Sequence, residues 1–173
     1  MFGFLKFFGL FFSNHRPPPG GDIRNEVLWN WVTKHLQMLP LAAVVCVMCD
    51  ANGHCGSQRR YDNDSVEDNT GTYVHIGPYG KEEENANGTF FRHFLEKNNF
   101  VAVNTLWRQG SGFTYYGRTQ GTRPDYIALS GNVASSASCF RMTELSRRLA
   151  IGKMWVDHVP LMARFRISRP TSL

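Results

Sequence analysis

Apolar residues along this chain form one dense block, one alternating run and two stretches with helical spacing. The dense block is Val44-Val45-Cys46-Val47-Met48-Cys49, and it stops at Asp50-Ala51-Asn52-Gly53. It is too short for a typical helix and rich in valine, which predicts a strand buried on both faces. Asp, Asn and Gly tolerate the backbone angles of a strand exit, so 50–53 predicts a turn. A second strand is predicted from Asp125-Tyr126-Ile127-Ala128-Leu129-Ser130. A third follows from the alternation of Val159, Leu161, Ala163, Phe165 and Ile167 with Pro160, Met162, Arg164 and Arg166. Leu28, Trp31, Val32, Leu36 and Leu39 mark one face of a helix that Pro40 stops. Phe90, Phe91, Phe94 and Leu95 mark another, capped by Asn87 or Thr89 and ended by Asn98-Asn99. Phe100 to Val103 predicts a further short strand.

Between these elements the chain is less legible. Phe2 to Phe12 is apolar but falls well below the roughly 20 residues that a bilayer span needs. No small-residue cleavage site follows it, so residues 4 to 13 are read as a core strand rather than a signal. Residues 57 to 88 are polar and glycine-rich, as in a long loop. Residues 131 to 156 favour no regular element, and Ser135-Ser136-Ala137-Ser138 least of all. The 173 residues suggest one domain. All-β sandwiches often take about 200–250, so the chain looks short for a complete one.

Charge and cysteine content narrow the classes only a little. A net charge of +5 and a pI near 9.2 permit a polyanionic partner without requiring one, because the charges are dispersed. Arg141, Arg147, Arg148 and Lys153 make 131–156 the most basic stretch. Cys46 and Cys49 form a C-x-x-C, but on a strand they point to opposite faces and cannot clamp one zinc. Four free thiols in a reducing, intracellular compartment, nuclear or cytoplasmic, are the expectation.

The candidate chemistry sits at strand ends. Asp50 closes one predicted strand, Asp125 opens another, and Asp157-His158 precedes the third. If the first strand runs antiparallel to the other two, all four groups meet at one edge. An ordinary turn would account for Asp50 and Asn52 by themselves, since both residue types are common there. Among glycines in 104–124, Trp107, Tyr115 and Arg118 have the aromatic and cationic character that suits bases and phosphates. They would equally serve to bridge a loop to the core.

The order Cys49-Asp50-Ala51-Asn52, then Arg123-Pro124-Asp125-Tyr126-Ile127-Ala128-Leu129-Ser130, then Val156-Asp157-His158-Val159-Pro160 resembles the endonuclease/exonuclease/phosphatase superfamily. Linking segments such as Gly77-Pro78-Tyr79-Gly80, Asn85-Ala86-Asn87-Gly88 and Phe113-Thr114-Tyr115 resemble its retrotransposon-type endonucleases. The resemblance covers roughly residues 13 to 167, with an apolar strand remnant over 1–12 and a tail over 168–173. It implies a partial four-layer α/β sandwich of the deoxyribonuclease-I-like type, lacking its first strands.

The resemblance also implies roles. Asp50 would orient and deprotonate the attacking water, and Asn52 would hold that water or the phosphate. Asp125 would bond His158, which sits on a phosphate oxygen. Asp157 would ligate Mg²⁺, with Mn²⁺ as a substitute. Ser13-Asn14-His15-Arg16-Pro17 resembles the family's S-x-H-x-P, whose histidine contacts the scissile phosphate; an exposed loop histidine would look the same. Trp107, Tyr115 and Arg118 would contact DNA, and no small-molecule cofactor is implied. Two positions depart from the pattern: Cys49 replaces a glycine and Val156 a serine. The family's metal-binding glutamate, which lies on an early strand, has no counterpart, so the chain is expected to be truncated at its N-terminus. A Mg²⁺-dependent DNA-nicking endonuclease, an inositol-phosphate or lipid phosphatase, and a non-catalytic remnant that binds nucleic acid all remain open.

Overall fold

The computed structural model describes residues 8–9, 23–40, 43–57, 75–79, 82–106, 112–117, 121–142 and 157–167. In chain order the elements are β1 (Phe8–Gly9), α1 (Ile23–Leu36), β2 (Cys46–Asp50), α2 (Ala86–Asn98) and β3 (Phe100–Ala102), followed by a 3₁₀ turn at Val103–Thr105. Then come β4 (Tyr115–Tyr116), β5 (Gly121–Thr122), β6 (Asp125–Ser130), α3 (Gly131–Ala134), β7 (Ser138–Arg141) and β8 (Leu161–Arg164).

The valine-rich block forms β2, inside a four-stranded sheet of order β1-β2-β6-β3. β1 runs parallel to β2, while β6 is antiparallel to both β2 and β3. Alternation along β2 feeds two separate cores, as expected of a strand buried on both faces. Val45, Val47, Cys49 and Ala51 join one core with Phe91, Phe94, Leu95 and Tyr126. Cys46 joins the other with Ile127, Leu129 and Cys139, and Met48 packs beside it. The two cysteines of the C-x-x-C therefore do lie on opposite faces. All four cysteines are buried and outside any disulfide, and burial pushes Cys46 up to about 11 and Cys55 up to about 12.

Helices α1 and α2 cover the first face. Trp29 lies between Phe91 and Phe94, with ring centroids 4.9 and 4.7 Å away. The two-stranded sheet β7–β8 covers the second face through Cys139, Leu161 and Ala163. Helix, sheet and second sheet thus make three layers among the described residues.

Several expectations need correction. Trp31, assigned to the apolar face of α1, is 49% exposed and lies against the His35 ring instead. Residues two apart on a helix point to nearly opposite sides, and Trp29 occupies the inward position. α2 is capped by Asn85 rather than Asn87 or Thr89; the Asn85 side chain accepts from the Gly88 N–H. Its end at Asn99 is as expected, with Asn99 in the left-handed region at φ 54°. The alternation after His158 holds through Phe165 and fails at Ile167, which is 43% exposed. Ser138 to Arg141 is a strand, because pairing with β8 supplies what local propensity does not. Of residues 4 to 13, Phe8–Gly9 form a strand and the others lie outside the described residues, as does the 168–173 tail. No helix among the described residues is long and apolar enough to cross a membrane.

Candidate active site

Asp50 is the last residue of β2 and Asp125 the first of β6, and the register places them directly opposite each other. His158 comes from a different layer. It lies just ahead of β8, forms an isolated bridge with Tyr115, and packs against that ring, tilted by 56°, at 4.9 Å between centroids. Its Nδ1–H donates to the Asp125 carboxylate, with Oδ2 at 2.9 Å and Oδ1 at 3.1 Å. Ligand atoms of Asp50, Asp125 and His158 all fall within 4.8 Å of one another. The edge convergence expected from sequence holds for these three. Asp157 is exposed and next in chain to His158; its carbonyl accepts from the Tyr116 N–H at 2.8 Å.

The electrostatics follow from this arrangement. The hydrogen bond to Asp125 raises the His158 pKa against the opposing effect of burial, and the charges of Asp125, Asp50 and Asp157 add to the rise. Burial raises Asp50, offset in part by the Asn52 N–H, which donates to Asp50 Oδ1 at 2.9 Å. A partly buried carboxylate thus faces a histidine biased toward its cationic form.

Backbone fastening around the site is dense. Asn52 sits at φ 46°, a left-handed conformation that asparagine tolerates better than most residues. Its carbonyl accepts from Asn87 Nδ2 at 3.0 Å. The next turn docks onto the start of α2: His54 N–H donates to Asn85 Oδ1, and Asn85 N–H donates back to the His54 carbonyl, both at 3.0 Å. A Cβ on Gly88 would stand 1.9 Å from that carbonyl, so only glycine permits the approach. Tyr126 Oη donates to the Gly53 carbonyl and accepts from the Cys55 N–H.

Asp125 is fixed from both sides. Asn104 Nδ2 donates to its carbonyl at 2.9 Å and Asn104 Oδ1 accepts from the Ile127 N–H at 3.1 Å, continuing the ladder past the end of β3. Thr114 Oγ1 accepts from the Asp125 N–H at 3.3 Å. The Thr114 carbonyl accepts from the Val159 N–H at 2.6 Å, tying the histidine segment to the aspartate strand. Buried Arg123 donates to the carbonyls of Tyr79 and Gly56. Sequence reasoning met Asn104, Thr114 and Arg123 only inside motifs and gave none of them a backbone-fastening role. A polar residue flanking a predicted strand beside an aspartate was the available signal. His15, Trp107 and Arg118 lie outside the described residues.

Comparison with solved structures bears on the fold. The chain superposes on the 3′ phosphatase NExo from Neisseria, solved bound to product DNA hairpin, with a TM-score of 0.55. Identity is 15%, over 83% of this chain and 52% of that one. The fold is deoxyribonuclease-I-like. The 3′-5′ exonuclease NExo from Neisseria meningitidis gives a TM-score of 0.54 at 16% identity, over 82% of this chain and 51% of that one. The chain spans about half the length of these structures. No protein-family model and no curated sequence matches it. The deoxyribonuclease-I-like fold agrees with the superfamily that the motif order resembles, and the partial coverage agrees with a partial sandwich.

The cluster offers carboxylate oxygens and one imidazole, donors open to a divalent cation. Mg²⁺ prefers oxygen ligands, keeps several waters and needs only one or two carboxylates. Asp50 is partly buried, Asp157 is exposed, and both charges act on His158, while Asp125 is engaged with the histidine. The exposed Asp157 carboxylate, next in chain to His158, suits a hydrated divalent cation that needs one carboxylate. Among the described residues no glutamate joins the cluster.

Proposed function

We propose that the chain is a metal-dependent phosphodiester hydrolase acting on DNA, of the endonuclease kind found in retroelements. The observation that carries this reading is the meeting of Asp50, Asp125 and His158 at one sheet edge, with His158 clamped through Nδ1. Phosphodiester hydrolysis needs a group to take a proton from water and a positive group facing the phosphate. Asp50 is the base; its raised pKa brings it closer to the range where a carboxylate accepts a proton usefully. His158 presents Nε2 to a phosphate oxygen because Nδ1 is held by Asp125, which acts as its positioning residue. Asn52 orients the water or the phosphate. Asp157 would hold Mg²⁺, or Mn²⁺ in its place, and the ion would supply Lewis-acid stabilisation of the phosphate charge. By the family resemblance, His15 would add a contact to the scissile phosphate, and Trp107, Tyr115 and Arg118 would contact DNA.

The test is nicking of supercoiled plasmid by the purified chain with Mg²⁺. Nicking that a chelator stops, and that Asp50→Ala and His158→Ala each nearly abolish, is the expected result. Nicking unchanged in both variants would overturn the assignment. The cluster's lack of a glutamate among the described residues favours a second reading, a DNA-binding module without turnover. Duplex binding with no nicking under any divalent metal would select it. Faster hydrolysis of inositol phosphates than of DNA would move the assignment to a phosphatase.

A further inference from the structure

Arg141 ends β7 at the edge of the molecule that carries the site. Cys139 is buried between the two sheets and Phe140 is 46% exposed, so strand alternation turns Arg141 inward. Its cross-strand partner is Leu161, the first residue of β8 and just past His158, and the Met142 N–H donates to the Pro160 carbonyl at 2.8 Å. Arg164 and Arg166 lie toward the other end of the same sheet and are exposed, with Arg164 opposite Ser138. The guanidinium of Arg141 is held in place: Nη2 donates to Tyr116 Oη at 2.6 Å, and its carbon lies 5.9 Å from the Tyr116 ring centroid. Tyr116 is anchored to the site by its N–H bond to the Asp157 carbonyl, and its neighbour Tyr115 packs on His158.

We propose that Arg141, steadied by Tyr116, binds the DNA backbone phosphate next to the one that faces Asp50, Asp125 and His158. The inference rests on the nuclease reading above. Arginine offers a planar fork of donors that matches phosphate geometry, and holding that fork against a ring reduces the freedom lost on binding. Inward placement at the end of the sheet aims the charge toward the site edge, whereas Arg164 and Arg166 face solvent away from it. The chain's excess of positive charge then has one member placed where a substrate phosphate passes.

The experiment measures binding of a short fluorescein-labelled DNA duplex to the full chain by anisotropy, with chelator present, across a potassium chloride series. Arg141→Gln should weaken binding about tenfold and lower the slope of log affinity against log salt by about one, as expected for one lost phosphate contact. Arg164→Gln should leave that slope unchanged. Arg141→Lys should keep the slope and lose part of the affinity, because charge remains while the fork is gone. In nicking assays Arg141→Gln should raise KM with kcat little changed. Should Arg141→Gln fail to fold, Tyr116→Phe carries the test: it removes the oxygen that holds the guanidinium, and affinity should fall several-fold at constant slope. A folded Arg141→Gln with wild-type affinity and slope overturns the proposal while leaving the nuclease reading intact. Absence of duplex binding by the wild-type chain overturns both.

Discussion

The two ends of the central sheet are built differently. At the end with Asp50 and Asp125, the exit of β2 and the start of β6 are fastened by side chains from elsewhere in the chain: Asn87 and Asn85 at the start of α2, Asn104 after β3, Thr114 before β4. At the opposite end, Val45, Phe100 and Ser130 border an open cleft of about 240 Å³ lined also by Leu36, Leu39, Pro40 and Ala43. One end has its backbone set by specific hydrogen bonds, and the other leaves space unfilled. Buried hydrogen bonds fix position more sharply than apolar contact does, since a lost partner leaves a desolvated group behind. Precision is concentrated where three reacting groups must converge, and looseness is tolerated away from them.

The contrast can be broken most forcefully at Gly88. Any Cβ there meets the His54 carbonyl, which belongs to backbone and cannot swing aside, so Gly88→Ala should separate α2 from the strand exit. A loss of about 2–4 kcal/mol in urea denaturation is expected, together with loss of nicking. Asn87→Ala tests the same fastening more gently. Removing the donor to the Asn52 carbonyl should cost about 1–3 kcal/mol and lower activity beyond what stability explains, because Asn52 would be free to leave its left-handed conformation. Equal losses of stability and no separate loss of activity would show that the fastening serves folding alone.

Between these and the far end comes a pH effect. His158 has a raised native pKa, caused first by its bond to Asp125, so the pair's contribution is full below the ordinary histidine value of about 6.5 and disappears as pH rises through the native value. Asp50, raised by burial, acts with the same sign in a lower window: its contribution is full below the ordinary carboxylate value near pH ~4 and disappears as pH rises through the native value. An NMR titration of His158 should show a pKa above that of an exposed histidine, and Asp125→Asn should bring it down. Urea midpoints should fall with pH in the wild type across that range and stay flatter in Asp125→Asn. A His158 titration unmoved by Asp125→Asn would mean that the contact is not formed in solution.

The smallest effect is expected at the far end. Ala43→Val adds methyl groups to the cleft border and should leave nicking alone while raising stability by about 0.5–1 kcal/mol. A destabilised variant would show that this end is as tightly set as the other.

Much of this was readable from sequence wherever a single pattern dominated. The valine block fixed β2, the Asp125 run fixed β6, and their strand-end acids foretold that Asp50 and Asp125 would face each other. His158 was placed correctly although its partner strand was not: β8 pairs with β7 rather than joining the Asp50 sheet, and the histidine reaches Asp125 from a second layer. What escaped depended on tertiary neighbours. Periodicity put Trp31 on the inward face, but the phenylalanines of α2 pack against Trp29 instead. The α2 cap fell on Asn85 because His54 docks there. Ser138 to Arg141 carries no local strand preference and becomes a strand only against β8. Asn104 and Thr114 look like loop residues until the atoms they hold are known.

That Asp125 and His158 belong to different sheets has a dynamic consequence. The two sheets touch through apolar side chains, but their polar link at the site runs through Thr114, Tyr115 and the single contact of His158 with Asp125. A small slide of one layer over the other would separate the histidine from its aspartate long before either layer lost its secondary structure. On the proposed nuclease reading, turnover would gauge whether the layers are seated, and partial denaturant should silence nicking ahead of global unfolding, with subglobal opening along the β7–β8 seam as the first event.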